Sequence, residues 1–284
     1  MGPEVIFVTS RLTKQQLIGL GALGAACGGF LCLIAPGAST AEQRAPFRGR
    51  YFAHRGLYNE SDRPENSLAA FRAAAAAGYG VELDVRLTRD GVAVISHDSD
   101  LQRTTGLAGV VEELDWPELQ QYRLGGTDQR IPALGEVLDI LCKANVPVIV
   151  ELKAAAGKKR APLCRKVLEE LDKRDGEFCV ESFDPMIVAW FRVKAPELLR
   201  GQLTSQPEEL NADPVTAFLA SRVMFNVFSR PQFIAHHVGS RSLSVELSYL
   251  MGAMRVTWTA RDRGQEYRSD AVIFEHFLPP VHYR

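Results

Sequence analysis

Residues 81–98 read VELDVRLTRDGVAVISHD, and the fold is decided in this stretch. Side chains alternate across a strand, so Val81, Leu83 and Val85 share one face while Glu82 and Asp84 share the other. Asp90-Gly91 is a strong turn signal, and the gap 88–91 leaves no room for a helix before apolar residues resume at Val92. The runs 81–87 and 92–96 are therefore expected to form a hairpin or a tight corner that ends at His97-Asp98. Carboxylates within a strand are costly to bury unless they are paired or hold a metal.

The same pattern recurs outward in both directions. Apolar runs at 51–54, 147–152, 177–181, 199–203, 224–227, 255–259 and 271–274 join the first two, giving nine strand candidates. Helical spacing fills most gaps, at 66–77, 134–144, 161–174 and 185–194, with Ser67 and Asp184 placed as capping residues. Strand–helix alternation predicts a parallel sheet, open or closed. A closed barrel has eight strand positions, so one candidate is surplus. Polar groups collect at the C-terminal ends of the strands: His54-Arg55 after 51–53, Glu82 and Asp84, His97-Asp98, and Glu151-Leu152-Lys153. Barrel enzymes work at that end.

The residue types specify a chemistry. Glu82, Asp84 and Glu151 offer a hard, all-oxygen site suited to magnesium, calcium or manganese rather than zinc. Arg55 and Lys153 can neutralise a phosphate, Arg through two oxygens at once. His54 and His97 can act as general acid and general base near neutral pH. Phosphodiester cleavage needs these three functions together. Each residue also has a blander reading: a lone strand histidine is usually structural, and Glu82 and Asp84 could form barrel ion pairs. Asp98 is read as orienting a neighbour or capping a turn. His236-His237 lacks an acidic companion at ligand spacing and is read as surface or structural.

Composition sets the remaining bounds. With 284 residues, 46% of them hydrophobic, the chain can build one barrel of about 250 residues plus an extension. A formal net charge of −1 and the lack of a long basic run give no footprint for nucleic acid. The cysteines, Cys27, Cys32, Cys142, Cys164 and Cys179, contain no CxxC pair, and the odd count beyond the first two favours a reducing compartment. Residues 17–38, LIGLGALGAACGGFLCLIAPGA, carry no charge and are expected to form a single membrane-spanning helix. The alternative is a signal peptide cleaved near Ser39-Thr40-Ala41. The expected organisation is a tail at 1–16, a transmembrane helix at 17–38, a linker at 39–50 and a catalytic domain at 51–284. Basic residues flank both ends of the helix; the slight excess after it, with the unpaired cysteines, favours a single-pass protein with its domain in the cytoplasm. Gly19, Gly21 and Gly24 fit G-x-G-x-x-G, but within an uncharged helical run they lack the βαβ setting the nucleotide motif requires.

Taken together, His54-Arg55-Gly56, Pro64-Glu65-Asn66-Ser67, Glu82-Leu83-Asp84-Val85, Asp90-Gly91, His97-Asp98, Arg103-Thr104-Thr105, Ile131-Pro132-Ala133-Leu134 and Glu151-Leu152-Lys153 resemble the signature of the glycerophosphodiester phosphodiesterases. Ser182-Phe183-Asp184 and Trp258-Thr259 are similar to its later parts, while 206–253 is less typical. The resemblance implies a TIM barrel of the phospholipase-C-like phosphodiesterase type. It also implies one divalent cation, magnesium or calcium, on Glu82, Asp84 and Glu151, and an acid–base pair in His54 and His97. Arg55 and Lys153 would hold the phosphate, and Phe183 and Trp258 would line the glycerol or head-group side. The products implied are sn-glycerol 3-phosphate and an alcohol. A lysophospholipase D acting on membrane lysophospholipids is the alternative substrate reading, and a non-catalytic phosphodiester-binding barrel the alternative of another class.

Overall fold

A computed structural model describes residues 14–154 and 160–282. Nine strands follow in chain order: β1 (Arg50–His54), β2 (Gly80–Leu87), β3 (Ala93–Ile95), β4 (Val148–Leu152), β5 (Phe178–Ser182), β6 (Leu199–Thr204), β7 (Phe233–His237), β8 (Met254–Ala260) and β9 (Ala271–Phe274). Their order is β1-β9-β8-β7-β6-β5-β4-β2-β3, and β1 also pairs with β2, so the sheet closes. The eight ring strands are parallel, while β3 pairs antiparallel with β2 and stands outside the ring. The surplus candidate is thus the return arm of the expected hairpin. Its turn is closed by Gly91 N–H donating to the Thr88 carbonyl at 3.2 Å, with Gly91 at φ +89°. A side chain at that φ would be strained.

Helices cover the ring as the sequence spacing predicts, at Leu68–Ala76, Leu134–Lys143, Arg160–Asp172 and Pro185–Lys194. Ser67 accepts from Ala70 N and Asp184 from Met186 N, each satisfying a helix-start amide. One expectation fails outright. The run 224–227 is no strand: Asn226–Ser229 forms one helical turn, and Phe233–His237 takes the sixth place in the barrel. A four-residue apolar run cannot separate strand from helix by periodicity. Register for β7 comes instead from the backbone, with Gln232 N donating to the Arg200 carbonyl at 2.8 Å.

The expected membrane span finds no support. Lys14–Ile34 is helical, but among the described residues no helix is long and apolar enough to cross a membrane. The far end of the expected span belongs to the barrel. Ile34 is fully buried, and its carbonyl accepts from Asn226 Nδ2 at 3.0 Å and Ser248 Oγ at 2.8 Å. Arg230 holds the carbonyls of Cys32 and Ala35, both at 3.0 Å, and Gln232 Nε2 holds that of Ala38 at 2.9 Å. These donors satisfy carbonyls that a helix end leaves open. Residues 1–13 of the expected tail lie outside the described residues.

Strand parity divides the barrel interior into two layers. Phe52, Ile149, Cys179, Phe233, Val256 and Ile273 make an apolar floor. Two residues onward along the same faces come His54, Glu151, Glu181 and Trp258, with Glu82 and Asp84 on β2. Room for the floor rings comes from glycine: a Cβ at Gly80 would lie 2.5 Å from the Phe52 ring, and one at Gly201 would run into the Phe233 ring. Gly201→Ala is therefore expected to destabilise the barrel by about 1–3 kcal/mol through overpacking. Chemical denaturation measures this, and an unchanged midpoint would mean the floor is looser than the geometry indicates.

Candidate active site at the C-terminal rim

Glu82 and Asp84 stand two residues apart on β2; Glu151 on β4 lies in register with Asp84, and Glu181 on β5 lies in register with Glu151. One oxygen from each of Glu82, Asp84 and Glu151 falls within 4.8 Å of the others. Their relative exposures are 2%, 0% and 7%, so water cannot dissipate their mutual repulsion. Two cations answer them. Lys153 Nζ lies 2.7 Å from Glu151 and 3.3 Å from Asp84, and Arg55 Nε lies 3.4 Å from Asp84. Asn66 Nδ2 donates to Asp84 at 2.8 Å, and the Arg55 backbone N–H donates to Glu82 at 3.1 Å. Both Arg55 (φ +55°) and Asn66 (φ +58°) sit in the left-handed region, strain of the kind that functional sites retain.

The titration of this cluster follows from burial and charge. Burial, then the neighbouring Asp84 and Glu151 carboxylates, raises Glu82 well above the usual carboxylate range. Burial also pushes Glu151 up to about 7, despite Lys153. Asp84 goes the other way: burial pushes it upward, but Lys153, Arg55 and His97 together hold it below its ordinary value. A bound dication would supply the missing positive charge, and the donor set is all carboxylate oxygen, so the residues fit a hard divalent ion.

Both histidines are backed by a carboxylate. Glu275 Oε2 meets His54 Nδ1 at 2.7 Å, and Asp98 Oδ1 meets His97 Nδ1 at 2.6 Å. With Nδ1 engaged, Nε2 of each ring is left for other partners, and His54 Nε2 lies 3.9 Å from Glu82. Glu275 is itself held by Arg261, at 2.8 and 2.9 Å, and by the Tyr58 hydroxyl at 3.1 Å. On the other side Asp98 bonds Arg103, Arg103 bonds Glu65 at 2.7 and 2.9 Å, and Glu65 bonds Arg55 at 2.9 Å. Burial lowers His54 and pushes His97 down to about 4, so both rings rest neutral. Burial acts upward on Glu275, but its bonds to His54, Arg261 and Tyr58 outweigh it and keep the carboxylate ionised.

One cavity of about 220 Å³ collects these groups. His54, Arg55, Glu82, His97, Glu151 and Lys153 line it, as do the aromatic pair Phe183 and Trp258, which meet edge-to-face at 5.6 Å. Asp84 lies sealed beneath it. All nine residues singled out from sequence therefore converge, and Asp98 orients His97 as expected. His237 keeps its surface-or-structural reading, packing on Trp258 with ring centroids 4.7 Å apart, but it does have an acidic companion, Glu209 at 3.0 Å. His236 is buried on β7, a structural place. Glu181 and Glu275 were missed. Parity would have found both, since Glu181 follows Cys179 and Glu275 follows Ile273 along inward faces.

A closed parallel barrel with buried carboxylates, imidazoles and two cations at its C-terminal rim defines a TIM-type barrel with a cation-ready site. The model of the glycerophosphoryl diester phosphodiesterase family matches residues 54–274, and the chain belongs to that family of hydrolases. The probable glycerophosphodiester phosphodiesterase 2 of Mycobacterium tuberculosis is 44% identical over 105 residues, 37% of this chain and 38% of that protein. Glycerophosphodiester phosphodiesterase 1 of Mus musculus is 33% identical over 168 residues, 56% of this chain and 50% of that protein. The matched region thus spans half or less of these two curated relatives. The solved Oleispira antarctica phosphodiesterase, in complex with the product sn-glycerol-3-phosphate, aligns with a TM-score of 0.67 at 24% identity, covering 81% of this chain and 94% of that one. At that identity the likeness is one of fold.

The His97 environment has a consequence for stability. The folded chain keeps this ring neutral down to about 4, whereas an unfolded chain protonates it near 6.5. Its contribution is therefore complete above the unfolded value, declines as pH falls and is gone below about 4. In metal-free protein, His97→Gln should lose less stability than the wild type on acidification through that window. Parallel losses in denaturant titrations of the two proteins would contradict it.

Proposed function

We propose that this protein hydrolyses glycerophosphodiesters to sn-glycerol 3-phosphate and an alcohol, with a divalent cation held by Glu82, Asp84 and Glu151. The observation that carries the reading is the convergence of two carboxylate-backed imidazoles, two cationic side chains and a buried carboxylate cluster on one small cavity. The product bound to the Oleispira phosphodiesterase and the activity in the relatives' names agree with it. Magnesium, calcium or manganese suits the donor set.

A cation held by Glu82, Asp84 and Glu151 would offset negative charge on the phosphate and favour loss of the attacking oxygen's proton. The chain's own residues do the rest. Arg55 and Lys153 receive the phosphate and offset the negative charge that builds on it during attack. One imidazole Nε2, neutral at rest, withdraws the proton of the attacking oxygen; the other takes up a proton as the anionic phosphate enters and gives it to the departing alcohol as the phosphorus–oxygen bond breaks. Glu275 and Asp98 fix the tautomers and favour the imidazolium formed midway. The attacker is water or the substrate's own glycerol hydroxyl, the latter giving a cyclic phosphate that water then opens. Phe183 and Trp258 flank the organic part of the substrate.

With glycerophosphocholine as substrate, His54→Ala and His97→Ala should each lower kcat about 10²–10⁴-fold. Chelation should abolish activity, and magnesium, calcium or manganese should restore it. Near-normal turnover in a correctly folded histidine variant, or activity that survives chelation, would defeat the assignment.

A further inference from the structure

Arg103 does not line the catalytic cavity, yet it bonds the carboxylates that stand behind two residues lining it. Its Nε donates to Asp98 Oδ2, while Asp98 Oδ1 meets His97 Nδ1 at 2.6 Å. Its Nη1 and Nη2 fork onto Glu65 at 2.9 and 2.7 Å, and the oxygen that takes Nη2 also accepts from Arg55 Nη1 at 2.9 Å. Charges alternate along this row: Asp98 negative, Arg103 positive, Glu65 negative, Arg55 positive. At one end is an imidazole that handles protons. At the other is the guanidinium offered to phosphate.

Two separate pieces of the fold meet in this row. Arg103 stands on the helical turn Gln102–Thr105, within the excursion 96–133 that separates β3 from the helix Leu134–Lys143. The excursion packs its own core, in which Leu101, Val111, Leu119, Leu124 and Ile131 join Val94. Arg86 on β2 ties it down, donating to the His97 carbonyl at 2.8 and 3.0 Å and to Glu112 at 2.8 Å. Glu65 comes instead from the loop after β1. The Arg103 side chain is 51% exposed, and ion pairs on so exposed a group add little stability. The fork is better explained by what it connects.

We infer that Arg103 is a positioning residue that couples the arrival of phosphate at Arg55 to the proton affinity of the His97 ring. The inference rests on the phosphodiesterase reading of the site. A phosphate on Arg55 competes with Glu65 for the guanidinium, and Glu65 then turns to Arg103 alone. Arg103 in turn loosens its hold on Asp98, and more of the Asp98 charge falls on His97 Nδ1. Hydrogen-bonded charges in a row polarise one another in this way. Burial holds the free ring down at about 4, and a proton-transfer group works best, as acid or as base, with its pKa near the operating pH. By linkage, a proton on His97 tightens phosphate at Arg55 by the same factor. Other charges also act on the ring: Asp84 on β2, Lys153 after β4 and Arg55 itself. Arg160, Asp184 and Glu209 line the wider cavity that His97 borders. All of them stay in place in the substitutions that test the coupling.

The test follows glycerophosphocholine cleavage across pH at saturating divalent cation. The profile of kcat/KM reports groups in the free enzyme and that of kcat groups in the bound one. The limb that disappears in His97→Gln belongs to His97. In the wild type that limb should lie higher in kcat than in kcat/KM, by roughly one pH unit. Arg103→Gln leaves Asp98 wholly to His97, so the kcat/KM limb should rise toward the kcat value and the gap should narrow. Glu65→Gln leaves Arg103 wholly to Asp98, so the gap should narrow with the kcat/KM limb still low. Arg103→Lys keeps the charge without the fork and should restore part of the gap. Wild-type limbs that coincide, or a gap equally wide in the Arg103→Gln and Glu65→Gln proteins, would overturn the coupling. So would lower turnover or stability in Arg103→Gln with the limbs unmoved, the mark of a merely structural role. Wild-type protein that cleaves no glycerophosphocholine would instead sink the phosphodiesterase reading, and the coupling with it.

Discussion

Negative charge buried at one end of a barrel is the constraint on which the rest of this structure depends. Glu82, Asp84, Glu151 and Glu181 all lie below a tenth exposed on three neighbouring strands, and the cations facing them are Lys153 and Arg55. Glu181 carries an oxygen with no hydrogen-bond partner and is raised well above its usual pKa by burial, with Glu151 adding to the effect. Such a cluster opposes folding: charges taken from water are recovered only through close pairing. Proteins break the rules of core composition chiefly at functional sites, and here the departure is confined to one layer.

That confinement is geometric. Side chains alternate along every strand, so the faces that carry Phe52, Ile149 and Cys179 in the floor carry His54, Glu151 and Glu181 one step later. The outer strand faces bury a larger core against the helices, the floor fills the interior, and together they fix the strand ends on which the rim groups stand. Carboxylate–imidazole pairs at His54 and His97 and the chain of bonds through Asp98, Arg103, Glu65 and Arg55 then remove rotational freedom from those groups. Positioning of this kind is the larger part of what a protein contributes to a phosphoryl reaction.

Much of this was legible in the sequence because it is written in local signals. The hairpin followed from Asp90-Gly91, the helix starts from Ser67 and Asp184, and the cluster from charges placed at strand ends. What could not be read depended on contacts far apart in the chain. The run at 224–227 was ambiguous because its helical turn is set by Asn226 reaching to Ile34. Residues 35–38 looked like the end of an uncharged helix, yet they are fixed by Arg230 and Gln232. Glu209 approaches His237 from 28 positions away, beyond any spacing rule for ligands. Glu181 and Glu275 were within reach of the parity argument had it been carried through every strand.

The central claim is that the three buried carboxylates form a cation site. Crystals equilibrated with manganese and measured for anomalous scattering address it without any assay of turnover. A single peak roughly 2.0–2.6 Å from carboxylate oxygens of Glu82, Asp84 and Glu151 is predicted, and it should disappear in Asp84→Asn. No peak among those oxygens at saturating manganese, or a peak that persists unchanged in the variant, would contradict the account.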